Sequence, residues 1–262
     1  MYRRLLAVVI SASFLPLTGI SFAADGESLP AEAAHNHRGG EKRIILENGE
    51  DAVITLWKPD LTTEPLTLEH GGVTLPKTGM DNYHVILAEK DWGDHKEVVI
   101  RYEYRHGPPS KQSPSRLTAQ QKTEFEIVPA PIPREHYRYH SQQRWGFVVR
   151  FEGQPVGGLE VELQTSNGSH LSVTSDAEGR VEFLIPDDFP GVVKGERDRR
   201  LGQFSVSSEY HQGDRRYTTQ LSADYRVSPS HWQSTRLGLL IVGFGFIAGS
   251  VIGRVKKGGD GK

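Results

Sequence analysis

Histidine pairs are the residues of this chain best suited to chemistry. There are eleven histidines, and eight fall between positions 35 and 140. His35-Asn36-His37 would offer two imidazoles to Ni²⁺, Cu²⁺ or Zn²⁺, with Glu27 and Glu32 near in sequence. Two ligands on a polar arm bind weakly, because ordering the arm costs entropy. His136 and His140 form a second pair, sharing one face of a strand or lying one turn apart on a helix. In the strand, Arg138 stands between them and repels a cation. The competing reading is structural, with Tyr137 and Tyr139 packing on a neighbouring β-domain. A third group, Asp81, His84, Asp94 and His95, converges only under one particular hairpin pairing.

Other chemistry is excluded quickly. The chain has no cysteine, which removes disulfides, zinc–thiolate and iron–sulfur sites, and a cysteine nucleophile. It holds no G-x-S-x-G elbow, H-E-x-x-H helix, P-loop or dinucleotide fingerprint. Ser, His and Asp are all present, but no spacing singles out a triad. The expectation is a protein that is not an enzyme, with a divalent transition metal, nickel or copper, as the one cofactor class suggested. The run Glu196-Arg197-Asp198-Arg199-Arg200 reads as a solvated loop, or else as a docking patch.

The two ends place these residues relative to a membrane. Residues 1–23 combine Arg3 and Arg4, an apolar stretch from Leu5 to Leu17, and Ser21-Phe22-Ala23 as a small-x-small cleavage site. That is a signal-peptide pattern. Residues 237–253, LGLLIVGFGFIAGSVIG, carry no charge and are followed by Arg254, Lys256 and Lys257. Their length is at the short limit for a bilayer-spanning helix, and the cationic flank puts the tail, 254–262, in the cytoplasm. The expected location is a bacterial inner membrane crossed once, with the amino-terminal domains in the periplasm. Within the span, Gly245, Gly249 and Gly253 are four apart. They would form a flat face for self-association or for a membrane-protein partner.

Formal charge is −2, from 31 basic and 33 acidic residues. Two of the basic residues lie in the leader and four in the tail, together with one acidic residue, so positions 24–236 carry −7. An acidic ectodomain disfavours nucleic acid and anionic lipid as partners.

Between these ends the sequence is β-rich. Residues 24–40 have no apolar periodicity and read as a flexible arm. In the block 41–128, strands are expected at Arg43–Leu46, Ala52–Trp57, Leu66–Glu69, Tyr83–Leu87, Val98–Tyr104 and Phe125–Val128, with a helical turn within 117–124. Tyr102 and Tyr104 alternate with Arg101, Glu103 and Arg105, the pattern of a half-buried strand. Residues 129–143 have three prolines in their first five positions and read as a semi-rigid linker. The block 144–227 is expected to hold strands at Gly146–Phe151, Leu159–Thr165, Ser169–Thr174, Arg180–Ile185, Gly202–Glu209 and Tyr217–Tyr225. Two β-sandwiches followed by one carboxy-terminal transmembrane helix is the fold this layout predicts.

Within the second block, Thr174, Asp176, Gly179, Val181 and Phe183 follow a T-x-D-x-x-G-x-V-x-F spacing. The stretch 153–187 thereby resembles the carboxypeptidase regulatory-like, or transthyretin-like, Ig module. Asp176 would hold the turn amides, Gly179 would take φ > 0, and Val181 and Phe183 would face the core. The whole layout also resembles a bacterial periplasmic family labelled a nickel-uptake, substrate-specific transmembrane region. Members of that family often present a histidine near the mature amino terminus, whereas His35 lies about a dozen residues beyond the expected cleavage site. The function expected is a membrane-anchored, non-catalytic accessory or binding module, linked to metal uptake or an envelope complex. The alternative is a structural or adhesive Ig-like protein that binds a carbohydrate or protein ligand.

Overall fold

Apolar β-branched and aromatic residues recur in short runs from position 42 to 226, and that pattern builds strands almost throughout. A computed structural model describes residues 21–23, 42–134 and 138–233. His35, His37, His136, Gly245, Gly249 and Gly253 lie outside these residues, as do the arm, the 237–253 segment and the tail. No helix among the described residues is long and apolar enough to cross a membrane.

The amino-terminal half contains β1 (Ser21–Ala23), β2 (Lys42–Glu47), β3 (Val53–Trp57), β4 (Thr63–Leu66), β5 (Leu68–Glu69), β6 (Gly72–Leu75), β7 (Asn82–Asp91) and β8 (His95–Arg105). A short helix, α1 (Ser115–Ala119), and β9 (Phe125–Pro129) follow. The carboxyl-terminal half contains β10 (Tyr139–His140), β11 (Arg144–Phe151), β12 (Gln154–Pro155), β13 (Glu160–Thr165), β14 (His170–Thr174), β15 (Arg180–Leu184), β16 (Leu201–Gln212) and β17 (Arg215–Arg226). A 3-10 turn at Pro229–His231 ends the described chain.

These strands form three sheets. A small one runs β1-β2-β6-β5, and a third joins β9, β11, β12 and β15. The large sheet runs β14-β13-β16-β17-β8-β7-β3-β4, with β10 also paired to β17. Its centre is the parallel pairing of β8 with β17, His95 opposite Arg216 through Arg101 opposite Ser222. One continuous sheet therefore passes through both sequence blocks, which are not two self-contained sandwiches.

The 129–143 run is likewise more than a spacer. β9, which ends at Pro129, pairs with β11, and its Phe125 and Ile127 are buried in the second core. Tyr139 sits in the same core, edge-on to Trp145 and Phe204.

In the amino-terminal half both faces of the large sheet are covered. Ile44, Leu46, Val73 and Leu75 of the small sheet pack on Ile54, Leu56, Ile86, Ala88 and Val99. On the opposite face Leu117 of α1 lies over Tyr83, Val85, Leu87, Val98 and Ile100. In the carboxyl-terminal half a single core lies between two layers. Phe147, Val149, Val181 and Phe183 face Val161, Leu163, Phe204, Val206 and Tyr225. Each such side chain, removed from water, contributes roughly 1.5–3 kcal/mol before the entropy of ordering is set against it.

Two local readings are corrected. The expected strands leave 70–82 empty, but Gly72–Leu75 forms β6: Val73 and Leu75 are buried, in a run too short to show alternation. Arg101, expected to face water, is buried because it lies under the small sheet beside the β8–β17 seam. It donates to Asp224 Oδ2 at 2.8 Å, and Glu103 lies 3.4 Å away. Burial opposes that guanidinium's charge, but Asp224 and Glu103 outweigh it and hold the pKa above the ordinary arginine range.

Candidate functional site

Three polar segments meet where the chain leaves β17: Ser141-Gln142 after β10, Asp187-Asp188 after β15, and Ser228–His231. None can continue a strand. Asp187-Asp188 follows Pro186, and Pro229 starts a 3-10 turn whose first amide is capped by Ser228.

Asp187 is the centre. Its Oδ1 accepts from Ser141 Oγ at 2.7 Å, and its Oδ2 accepts from Gln142 Nε2 at 2.6 Å. His231 Nε2 lies 2.9 Å from Oδ2 and 3.1 Å from Oδ1. Ser141 Oγ in turn accepts from the amide of Ser228 at 2.9 Å, and Ser230 Oγ donates to Gln142 Oε1 at 2.8 Å. Partial burial pushes the Asp187 carboxyl up, but the donors Ser141, Gln142 and His231 together hold it below the usual carboxylate range.

Ser, His and Asp are present here, yet the order is wrong for a relay. A hydrolytic triad needs the imidazole between hydroxyl and carboxylate, taking the proton of the first while held by the second. In this cluster the carboxylate is in the middle, and the Ser141 hydroxyl donates to it. The hydroxyl meets the carboxylate directly, with no imidazole between them. The arrangement is a clasp that ties the entry to β11, the loop after β15 and the last turn of the described chain to one carboxylate.

A second carboxylate extends the clasp into the core. Asp188 accepts from Thr165 Oγ1 and Tyr225 Oη, and Asn167 Nδ2 donates to Tyr225 Oη at 2.8 Å. The Tyr225 ring is fully buried against Phe189 and Phe204. Burial, then the neighbouring Asp188, pushes its phenol well above the ordinary range.

The sequence-identified residues are dispersed. His84 is buried at the start of β7; its Nδ1 donates to Asn82 O at 3.1 Å and its Nε2 faces Thr78 Oγ1 at 2.7 Å. Desolvation pushes its pKa down to about 4. Asp81, beside it, accepts from Tyr104 Oη. Asp94 and His95 lie at the opposite end of the β7–β8 hairpin, where His95 stacks on Trp92. The pairing thus separates the four residues instead of gathering them. His140 is half-buried, donates from Nδ1 to Arg138 O at 2.8 Å, and is pushed down in pKa by burial and by the cations Arg226 and Arg138. Among the described residues no group of three or more His, Asp or Glu is placed to hold a metal ion.

Sequence reading also missed a buried charge cluster at the junction of the halves. Glu126 lies 3.0 Å from Lys122 Nζ and 2.9 Å from Arg150, with the Lys122 and Glu126 side chains fully enclosed. Lys122 also donates to Leu117 O and Gln120 O, and Arg150 to Gln120 O. A Lys and a Glu four apart, at the entry to an apolar strand, were the available signal.

The fold and site define a mainly β protein whose exit point is fixed by a hydrogen-bonded clasp. No protein-family model and no curated protein matches the chain. Five solved chains match. One of them, described as "Ca2+-stabilized adhesin helps an Antarctic bacterium reach out and bind ice", is 12% identical over 68% of this chain and 40% of that one, with a TM-score of 0.27. This chain spans less than half of that adhesin's length, and so slight a likeness bears on neither fold nor function.

Proposed function

We propose that this protein is a non-catalytic accessory or binding module of the bacterial envelope, anchored in the inner membrane by residues 237–253. In this reading the β-rich halves lie in the periplasm and the basic tail in the cytoplasm. The observation that carries it is the Asp187 clasp. Ser141, Asp187 and His231 are spent on fixing the chain's exit, with His231 six positions before the apolar segment begins. The carboxyl-terminal half is proposed as an Ig-like module of the transthyretin type. Its support is the turn in which Asp176 Oδ1 accepts from the amides of Glu178 and Arg180, with Gly179 at φ +68°. Metal handling enters the proposal only through His35 and His37.

A reporter phosphatase fused after Val227 should be active in the periplasm, and one fused after Lys262 should be inactive. The reverse pattern would overturn the anchored topology.

The adhesive reading has one observation in its favour. β14 is an edge strand exposed at every residue, and it shows Leu171 and Val173 to water. It has neither proline nor a central charge to protect its unpaired edge. Loss of glycan or envelope-protein binding in Val173→Lys, with folding intact, would favour this reading.

A further inference from the structure

We infer that the loop between Pro190 and Leu201, together with Arg138 and Arg226, is a surface for the anionic phospholipid head groups of the bilayer that residues 237–253 enter. The inference rests on the anchored reading above and adds a lipid-contacting face to it.

Position is the first argument. The amide of Gly195 donates to His231 O at 2.8 Å, so the loop is fastened to the last turn of the described chain. That turn is itself held by Asp187. Only three residues, 234–236, separate Gln233 from the apolar segment. Even fully extended, the connection from 233 to 237 spans no more than about 14 Å. The loop is therefore held within head-group reach of the bilayer.

Charge is the second. Lys194, Arg197, Arg199 and Arg138 are exposed, and Arg226 lies beside them, opposite Leu201 in the β16–β17 register. The carboxylates nearby are already engaged: Asp198 by Arg200 at 2.7 Å, Asp187 by the clasp, and Asp224 by Arg101. Glu196 is the remaining acidic side chain of the loop. Among the described residues no carboxylate is within ion-pair distance of Arg138, Arg197, Arg199 or Arg226, and Arg226 Nε is buried without a hydrogen-bond acceptor. Burial, then Arg138, with Arg199 and Arg197 behind it and Asp224 opposing, pulls the Arg226 guanidinium below the ordinary arginine range. An anion at this face would relieve that repulsion. The −7 of the ectodomain as a whole does not cancel a local patch, because exposed charges more than roughly 8–10 Å apart are largely screened.

Exposed aliphatic side chains bracket the cations. Val193 is 53% exposed and Leu201 55% exposed, at the two ends of the basic run. Cationic side chains flanked by exposed aliphatic ones are the composition that binds a lipid interface, by attraction to head groups plus shallow insertion.

The test uses the full chain in nanodiscs of phosphatidylcholine alone or with phosphatidylglycerol added, followed by hydrogen exchange. Amides in 190–201 should exchange several-fold more slowly with the anionic lipid, and added salt should remove the difference. Arg197→Glu with Arg199→Glu should also abolish it, while exchange in β11 and β16 stays as in wild type. If the chain enters the discs but 190–201 exchanges equally in both lipids, the lipid surface is refuted and the anchor stands. Protection in neutral discs only after adding envelope extract would assign the patch to an acidic protein instead. A chain that fails to enter either disc overturns the anchored reading and this surface with it.

Discussion

In the amino-terminal half β7 is buried at every position from Asn82 to Ala88, whereas β16 in the carboxyl-terminal half alternates buried and half-buried positions from Gly202 to Ser208. The two strands belong to one sheet, so the difference lies in what covers them. β7 has the small sheet on one side and the α1 segment on the other, while β16 has one packed face. Two-sided cover leaves polar groups no water to turn to. Asn82, His84 and Arg101 are all inside and each has a specific protein partner. One-sided cover lets Ser205 and Ser207 stay half in solvent. The consequence is that charge changes are costly in the first half and at the seam, and mild on the open face of the second.

The enclosed Lys122–Glu126–Arg150 cluster at the junction of the halves should give the largest effect. Glu126→Ala leaves Lys122 and Arg150 facing each other in an enclosed site, and breaking such a pair by removing one partner should cost about 4 kcal/mol in urea unfolding. A loss of under 1 kcal/mol would mean that water reaches the cluster. Next is Gly179→Val, expected to cost about 3 kcal/mol. It combines positive φ with a Cβ that would meet Val149 O at 2.5 Å. Because the halves share a sheet, either change should lower a single melting transition; two separate transitions would show that the seam does not couple them.

His84 supplies a pH test of the two-sided region. Folded, it titrates near 4; unfolded, at about 6.5. The unfolded chain therefore takes up the proton first. Stability from this site is complete above about pH 6.5 and declines as pH falls towards 4, by about 3 kcal/mol in total. His84→Gln should flatten that slope in melts taken between pH 4 and 7.

Asp187 acts in the same direction, in a lower window. Its folded pKa is lowered, so its contribution is present above the unfolded value near 4 and is lost as pH drops through the folded one. Asp187→Asn should cost about 1 kcal/mol at neutral pH, with the gap to wild type closing as the wild-type carboxyl becomes protonated in acid. Smallest of all, Val173→Lys on the exposed β14 should shift stability by no more than about 0.5 kcal/mol.

Much of the second half was legible in the sequence, and for the same reason that it tolerates charge. One-faced strands alternate, so β11, β13, β15, β16 and β17 are recognisable, and Asp176 and Gly179 announce their turn. The first half hides its architecture. β7 does not alternate, β6 is too short to show a period, and Arg101 looks like a surface residue until Asp224, 123 positions away, is placed beside it. The clasp was invisible for a related reason. Its parts are a Ser-Gln pair after a proline-rich run, an Asp pair after β15, and a histidine near the exit. Residues 141 and 228 lie 87 positions apart, with no spacing rule to connect them. The metal-binding candidates His35, His37 and His136 and the glycines 245, 249 and 253 belong to stretches outside the described residues.

The parallel seam between β8 and β17 also sets an order of events during synthesis. β8 is complete by residue 105, but its neighbour does not exist until residues 215–226 have been made. Until then the long edge of β8, with Val98, Val99 and Ile100, is an open template for any extended chain nearby. Such a late, long-range closure slows folding. A chain whose middle strand waits for its last one profits from an escort that keeps it unpaired until the whole sequence has arrived.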